Sequence, residues 1–179
     1  MDKRNNNAHL EAATIHNSGS NWHYKETSIM PNLMISLTVK DAPAALEYYQ
    51  KALGAKVVYR MDGPDGSVLH STLTIADCMI YLSGEDEMFQ AVGQDTHDKH
   101  SSCLLCIQSD DPDVDFAKAI TVGGKVIMPV QDSPWGSRSG IMIDPYGYRW
   151  TIGNESGELP PPDKIGEMMA SWKPIFADN

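Results

Sequence analysis

From Leu33 to Val39 apolar and polar residues alternate, with Leu33, Ile35, Leu37 and Val39 on one side and Met34, Ser36 and Thr38 on the other. That is the period of a half-buried strand. The period then changes. Asp41 stands where a helix cap is needed, Pro43 is tolerated in a first turn, and Ala45, Leu46, Tyr49, Ala52 and Leu53 recur at helical spacing up to Gly54, which suits the stop. Strand-like runs follow at 56–60, 68–75 and 79–82, separated by Gly63-Pro64-Asp65-Gly66 and by Ala76-Asp77. The predicted order is strand, helix and three strands.

After an unpatterned connection at 84–101 the same order returns. A strand at 102–107 leads to Asp110-Asp111-Pro112-Asp113, which caps a helix carrying Val114, Phe116, Ala117 and Ala119 and ending at Gly123-Gly124. Strands are predicted at 125–130, 139–143 and 148–153, the last two joined by a turn in which Pro145 presets the backbone and Gly147 permits a positive φ. Gly54-Ala55-Lys56-Val57-Val58 is matched by Gly123-Gly124-Lys125-Val126-Ile127, so the chain is an internal duplication. Its core domain spans 30–153, with module one at 32–83 and module two at 102–153. In the tail, 154–179, prolines 160–162 stop the sheet and Asp163 starts a short helix with Ile165, Met168, Met169 and Trp172 on one side. Residues 1–29 read as a polar extension; His9, His16 and His23 recur there every seven residues, but no apolar face fixes a ligand geometry.

Composition narrows the function classes. The 179 residues contain no apolar run of membrane-spanning length, and the amino terminus is too polar for a secretory leader, so a cytoplasmic protein is expected. Three cysteines, Cys78, Cys103 and Cys106, do not make a disulfide scaffold. Cys103 and Cys106 have redox spacing, yet on a strand they point to opposite faces and sit at no helix start, so buried structural thiols are expected. A net charge of −10 with scattered Lys and Arg argues against nucleic acid. It fits a cationic ligand or simple solubility.

The doubled module, with Val39-Lys40-Asp41 before helix one, Tyr48-Tyr49 inside it and Gly54-Ala55 at its end, resembles the vicinal oxygen chelate superfamily of glyoxalases, bleomycin-resistance proteins and extradiol dioxygenases. The PhnB-like branch is nearer still, through Val68-Leu69-His70-Ser71, Met128-Pro129 with Gln131-Asp132, Trp135-Gly136-Ser137-Arg138, and Asp144-Pro145-Tyr146-Gly147-Tyr148-Arg149-Trp150. The resemblance implies an α+β fold of two βαβββ modules forming curved mixed sheets around a cavity, commonly in a homodimer. It also implies, in metal-dependent members, a divalent ion held by His and Glu on the first and fourth strand of each module. Carried over, those positions fall at Met34, at Cys103 or Leu104, at Tyr81 and at Thr151. A thioether, a thiol, a phenol and a hydroxyl make a poor site for magnesium, manganese, iron or zinc at neutral pH. No cofactor is therefore expected, and a metal would need an atypical site.

His70 is the imidazole embedded in a predicted core strand, either a general base or ligand anchor in the cavity or a hydrogen-bonded histidine at its rim. Tyr81, Trp135, Arg138, Tyr148 and Trp150 are the expected ligand-binding residues, with Trp135 as an aromatic wall and Arg138 as a cation for an anionic group. Tyr148 stands where the PhnB-like pattern often has His, which removes a second acid or base. Three functions follow: a metal-free small-molecule binding protein, a lyase, isomerase or dioxygenase using an atypical metal site or His70, or a protein that sequesters bleomycin-type drugs.

Overall fold

The computed structural model describes residues 33–94, 101–155 and 160–177; the polar extension at 1–29 and its three histidines lie outside the described residues. Module one consists of β1 (Ile35–Val39), α1 (Ala42–Leu53), β2 (Lys56–Asp62), β3 (Val68–Ile75) and β4 (Cys78–Gly84). Module two consists of β5 (Leu104–Gln108), α2 (Pro112–Thr121), β6 (Lys125–Asp132), β7 (Ser137–Ile143) and β8 (Arg149–Glu155), with α3 (Pro162–Ser171) in the tail. Each module folds into one mixed four-stranded sheet, ordered β1-β4-β3-β2 and β5-β8-β7-β6, in which the first and fourth strands run parallel. This is the expected α+β duplication. The two sheets curve without closing into a barrel.

Both helices start as the sequence predicts. Asp41 accepts a hydrogen bond from the Ala44 amide, and Asp111 from the Val114 amide, so each carboxylate satisfies an orphan N–H of a first turn. Gly54 ends α1 at φ 65°, a left-handed conformation that costs glycine little. β5 begins two residues later than the pattern suggests because the Ser101 hydroxyl accepts from the Cys103 amide, diverting the backbone into a local turn. β7 begins earlier than predicted, since Ser137 pairs with Glu155 across the ladder.

Alternation divides each sheet into two faces. Leu37, Val39, Leu73, Ile80 and Leu82 turn to α1 with Ala45, Leu46 and Tyr49, while Met142, Trp150 and Ile152 turn to α2 with Phe116 and Ala119. The opposite face of each sheet carries no helix of its own module. Among the described residues no ladder joins the sheets; the modules meet where α1 packs on α2 and where Tyr48 and Tyr49 reach the Asp144–Trp150 turn. Beyond α3 the chain returns along the edge strand β6. There the Gln131 side-chain amide grips both backbone groups of Ile175, and the Ala177 amide donates to the Ile127 carbonyl. Such a strap covers an edge that would otherwise be open to pairing. No described helix is long and apolar enough to cross a membrane.

Candidate functional site

The helix-free face of the first sheet gathers polar and aromatic side chains. In the ladder Tyr59 pairs with Thr72, Met61 with His70, and Tyr81 with both Thr72 and Ser36, so all of these side chains share that face. The His70 ring stands edge-on to Tyr81 at 4.8 Å between centroids and 6.1 Å from Tyr59. Thr72 Oγ1 lies 3.4 Å from His70 Nε2, within reach of a weak hydrogen bond that would orient the ring. His70 and Tyr81 are both half-buried. An imidazole so held can accept or donate a proton to a ligand lying on the sheet, and the phenol beside it adds a second hydrogen-bonding group.

Tyr81 on β4 and Thr151 on β8 occupy matched places on the helix-free faces of the two sheets, opposite Ser36 and Cys106 in the neighbouring parallel strands. Met34 precedes β1 and Cys103 precedes β5. The thiols of Cys103 and Cys106 are both exposed rather than buried as expected, because Cys103 lies outside the strand and Cys106 on the helix-free face. None of these residues offers a carboxylate or imidazole. Among the described residues no group of three or more His, Cys, Asp or Glu side chains is placed to hold a metal ion. The residues at these positions do not fit the divalent ion that the resemblance implies for metal-dependent members.

The remaining expected residues are dispersed. Arg138 lies on the α2 side of β7, where Nε and Nη2 form 2.7 Å bonds to both oxygens of Asp113 and Nη1 bonds Asp132 at 3.0 Å. These exposed pairs hold Asp113 below the ordinary carboxylate range and Arg138 above its usual value. Trp135 stacks edge-on to Trp172 of the tail at 5.0 Å. Trp150 is 2% exposed and buried against α2 and Tyr49, away from the open face. Tyr148 bridges the modules: its hydroxyl accepts from the Thr38 amide at 3.0 Å and donates to the Thr38 carbonyl at 2.9 Å. Of the expected residues, His70 and Tyr81 are the two brought together.

Tyr148 thus satisfies both backbone groups of one residue in an edge strand. Tyr148→Phe is expected to cost about 1–2 kcal/mol, since the ring stays while two half-buried backbone groups lose their partner. Urea unfolding of the two proteins checks it, with a lower midpoint and an unchanged slope as the result.

A buried centre that local sequence patterns do not reveal joins the modules. Asp144, 4% exposed, accepts four hydrogen bonds: Oδ2 from the Tyr49 hydroxyl at 2.7 Å and the Trp150 indole at 2.8 Å, and Oδ1 from the Tyr146 and Tyr148 amides at 2.9 Å each. Burial pushes the Tyr49 phenol well up, with the Asp144 charge adding to it, so the hydroxyl remains a donor. The signal available in sequence was an Asp opening a Pro-Tyr-Gly turn, which reads as a hairpin and does not disclose Tyr49 on a distant helix.

Paired βαβββ modules with matched positions on their fourth strands form a two-module frame. The chain belongs to the glyoxalase/bleomycin resistance protein/dioxygenase superfamily, whose family model matches residues 32–152. An uncharacterised protein of Mycobacterium bovis is 30% identical over 136 residues, covering 74% of this chain and 88% of that protein. Among solved structures, TioX from Micromonospora sp. ML1 superposes with a TM-score of 0.56 at 19% identity, over 70% of this chain and 98% of its own. The fosfomycin resistance protein FosX from Listeria monocytogenes, solved with Mn(II) and sulfate, superposes at 0.53 and 14% identity, over 72% of this chain and 92% of its own. At these identities the solved structures carry the fold alone.

Proposed function

We propose that the chain is a PhnB-like member of its superfamily that binds a small molecule through side chains alone, without a divalent ion. The observation that carries this reading is the donor set at the metal positions, where Tyr81 and Thr151 stand opposite Ser36 and Cys106 instead of carboxylates and imidazoles. The PhnB-like assignment rests on His70 within Val68-Leu69-His70-Ser71 and on the closing run from Asp144 to Trp150. A homodimer suits the geometry, because each open face lacks a cover from its own module and a second copy can supply one.

His70 and Tyr81 would form the polar wall for the ligand. The experiment is native mass spectrometry of whatever co-purifies, followed by titration of that compound against the native protein, His70→Ala and Tyr81→Phe. Binding is expected to weaken about tenfold in His70→Ala, the loss of one well-placed hydrogen bond. Affinity unchanged in both variants contradicts the assignment of this face. A second reading, metal-free acid–base catalysis, draws on the contact between His70 Nε2 and Thr72. It requires turnover of the bound compound that His70→Ala abolishes.

A further inference from the structure

We propose that Arg149 is an anion anchor on the helix-free face of the second sheet, built to take the carboxylate or phosphate of a small organic acid. Trp150 and Ile152 are buried toward α2, so strand alternation turns Arg149 and Thr151 to the other face. There the ladder sets Leu104 on one side of Arg149 and Ile143 on the other, with Cys106 and Ile141 flanking Thr151 on the next rung. Arg149 thus stands between two aliphatic ladder neighbours, with Thr151 two residues on along the same face.

Its pairing is what separates Arg149 from the other described arginines. Arg60 pairs with Asp62 and Arg138 with both Asp113 and Asp132. Arg149 Nε is buried without a hydrogen-bond partner, and no carboxylate among the described residues forms an ion pair with it. Carboxylates are not scarce in a chain with 24 Asp and Glu against 14 Lys and Arg. A cation with its Nε shielded from water and no counter-charge is a cost to the folded chain, and an anion arriving at the outer nitrogens relieves it. The planar fork matches the two oxygens of a carboxylate or phosphate. Leu104, 39% exposed, and Ile143 offer the same ligand an apolar resting surface, which favours an acid with an apolar body.

The inference extends the proposed small-molecule site and names the charge of its ligand, while its test is independent of His70. Nitrogen-15-labelled protein is titrated with benzoate and, separately, with inorganic phosphate at constant ionic strength, following the Arg149 Nε–H signal and the Leu104 and Thr151 amides. The expected result is a saturable shift at these signals with at least one probe, with the Arg138 Nε–H signal unmoved. Benzoate alone assigns a carboxylate ligand, phosphate alone a phosphoryl one. Arg149→Gln, checked for folding by its amide spectrum, is expected to weaken binding about tenfold or more. Arg149→Lys retains charge without the fork and falls between the two. Linear shifts equal to those with chloride, or saturable binding unchanged in both variants, would overturn the proposal. Anion binding here with no effect of His70→Ala on the co-purified compound would overturn the first-sheet assignment and leave this one standing.

Discussion

Replacing Asp144 with Ala is expected to destabilise the native state by about 3–5 kcal/mol, because it strands several buried donors at once. The Trp150 indole, the Tyr49 hydroxyl and the amides of Tyr146 and Tyr148 all end on this carboxylate, and Tyr49 belongs to the other module. Losing it therefore loosens the turn and the junction between modules together. Asp144→Asn separates the parts: its carbonyl can still accept from the two amides, but its NH2 group cannot accept from the indole, so about 1–3 kcal/mol is expected.

The same carboxyl sets a pH dependence with an unusual sign. Burial, the largest influence, raises the Asp144 pKa above the ordinary carboxylate value, and the bonds from Trp150, Tyr49, Tyr148 and Tyr146 oppose that rise without cancelling it. In the unfolded chain an aspartate ionises near pH 4, at about 3.9. Above that pH the native state keeps a proton the unfolded chain has released. Stability from this group is therefore fully present below the unfolded value and is lost as pH rises through the native one. Urea unfolding in steps from about pH 3.5 to about pH 7 should show the advantage of the native protein over Asp144→Asn largest at the acid end. An advantage that grows with pH would mean the four donors outweigh burial.

Trp150→Ala is expected to cost about 3–5 kcal/mol, the loss of a large aromatic from a site that cannot collapse around it. The ring is 2% exposed, lies 5.9 Å from Tyr49 between centroids and donates to Asp144. Because the two residues share one hydrogen bond, the double variant with Asp144→Ala should lose less than the sum of the single losses. The milder Trp150→Phe keeps much of the packing and should leave ligand affinity unaltered, since the side chain faces α2 and not the open face. Thermal or urea unfolding gives the first quantity, and titration of the co-purified compound gives the second.

The duplication was legible because its boundaries are written in local chemistry. The switch between alternating and helical periods, Asp41 and Asp111 as caps, and Gly54 in its left-handed turn each act within a few residues. Face sharing by His70 and Tyr81 follows from the same alternation once β3 and β4 pair as a hairpin. Alternation also held a signal for Arg138 and Trp150: Gly140 and Met142 face α2, so Arg138 two residues earlier and Trp150 opposite Met142 do as well. Contacts between modules were hidden. Tyr49 with Asp144, and Tyr148 with Thr38, join residues far apart in the chain, and no local period encodes them.

The central claim is that this member of the glyoxalase/bleomycin resistance protein/dioxygenase superfamily holds its ligand without a divalent ion. Elemental analysis of the purified protein, before and after incubation with Mn(II) or Zn(II) and gel filtration, tests it most directly. The predicted result is metal far below stoichiometric in both samples, with no rise in melting temperature on adding the ion. Stoichiometric metal that survives gel filtration, accompanied by a raised melting temperature, would contradict the claim.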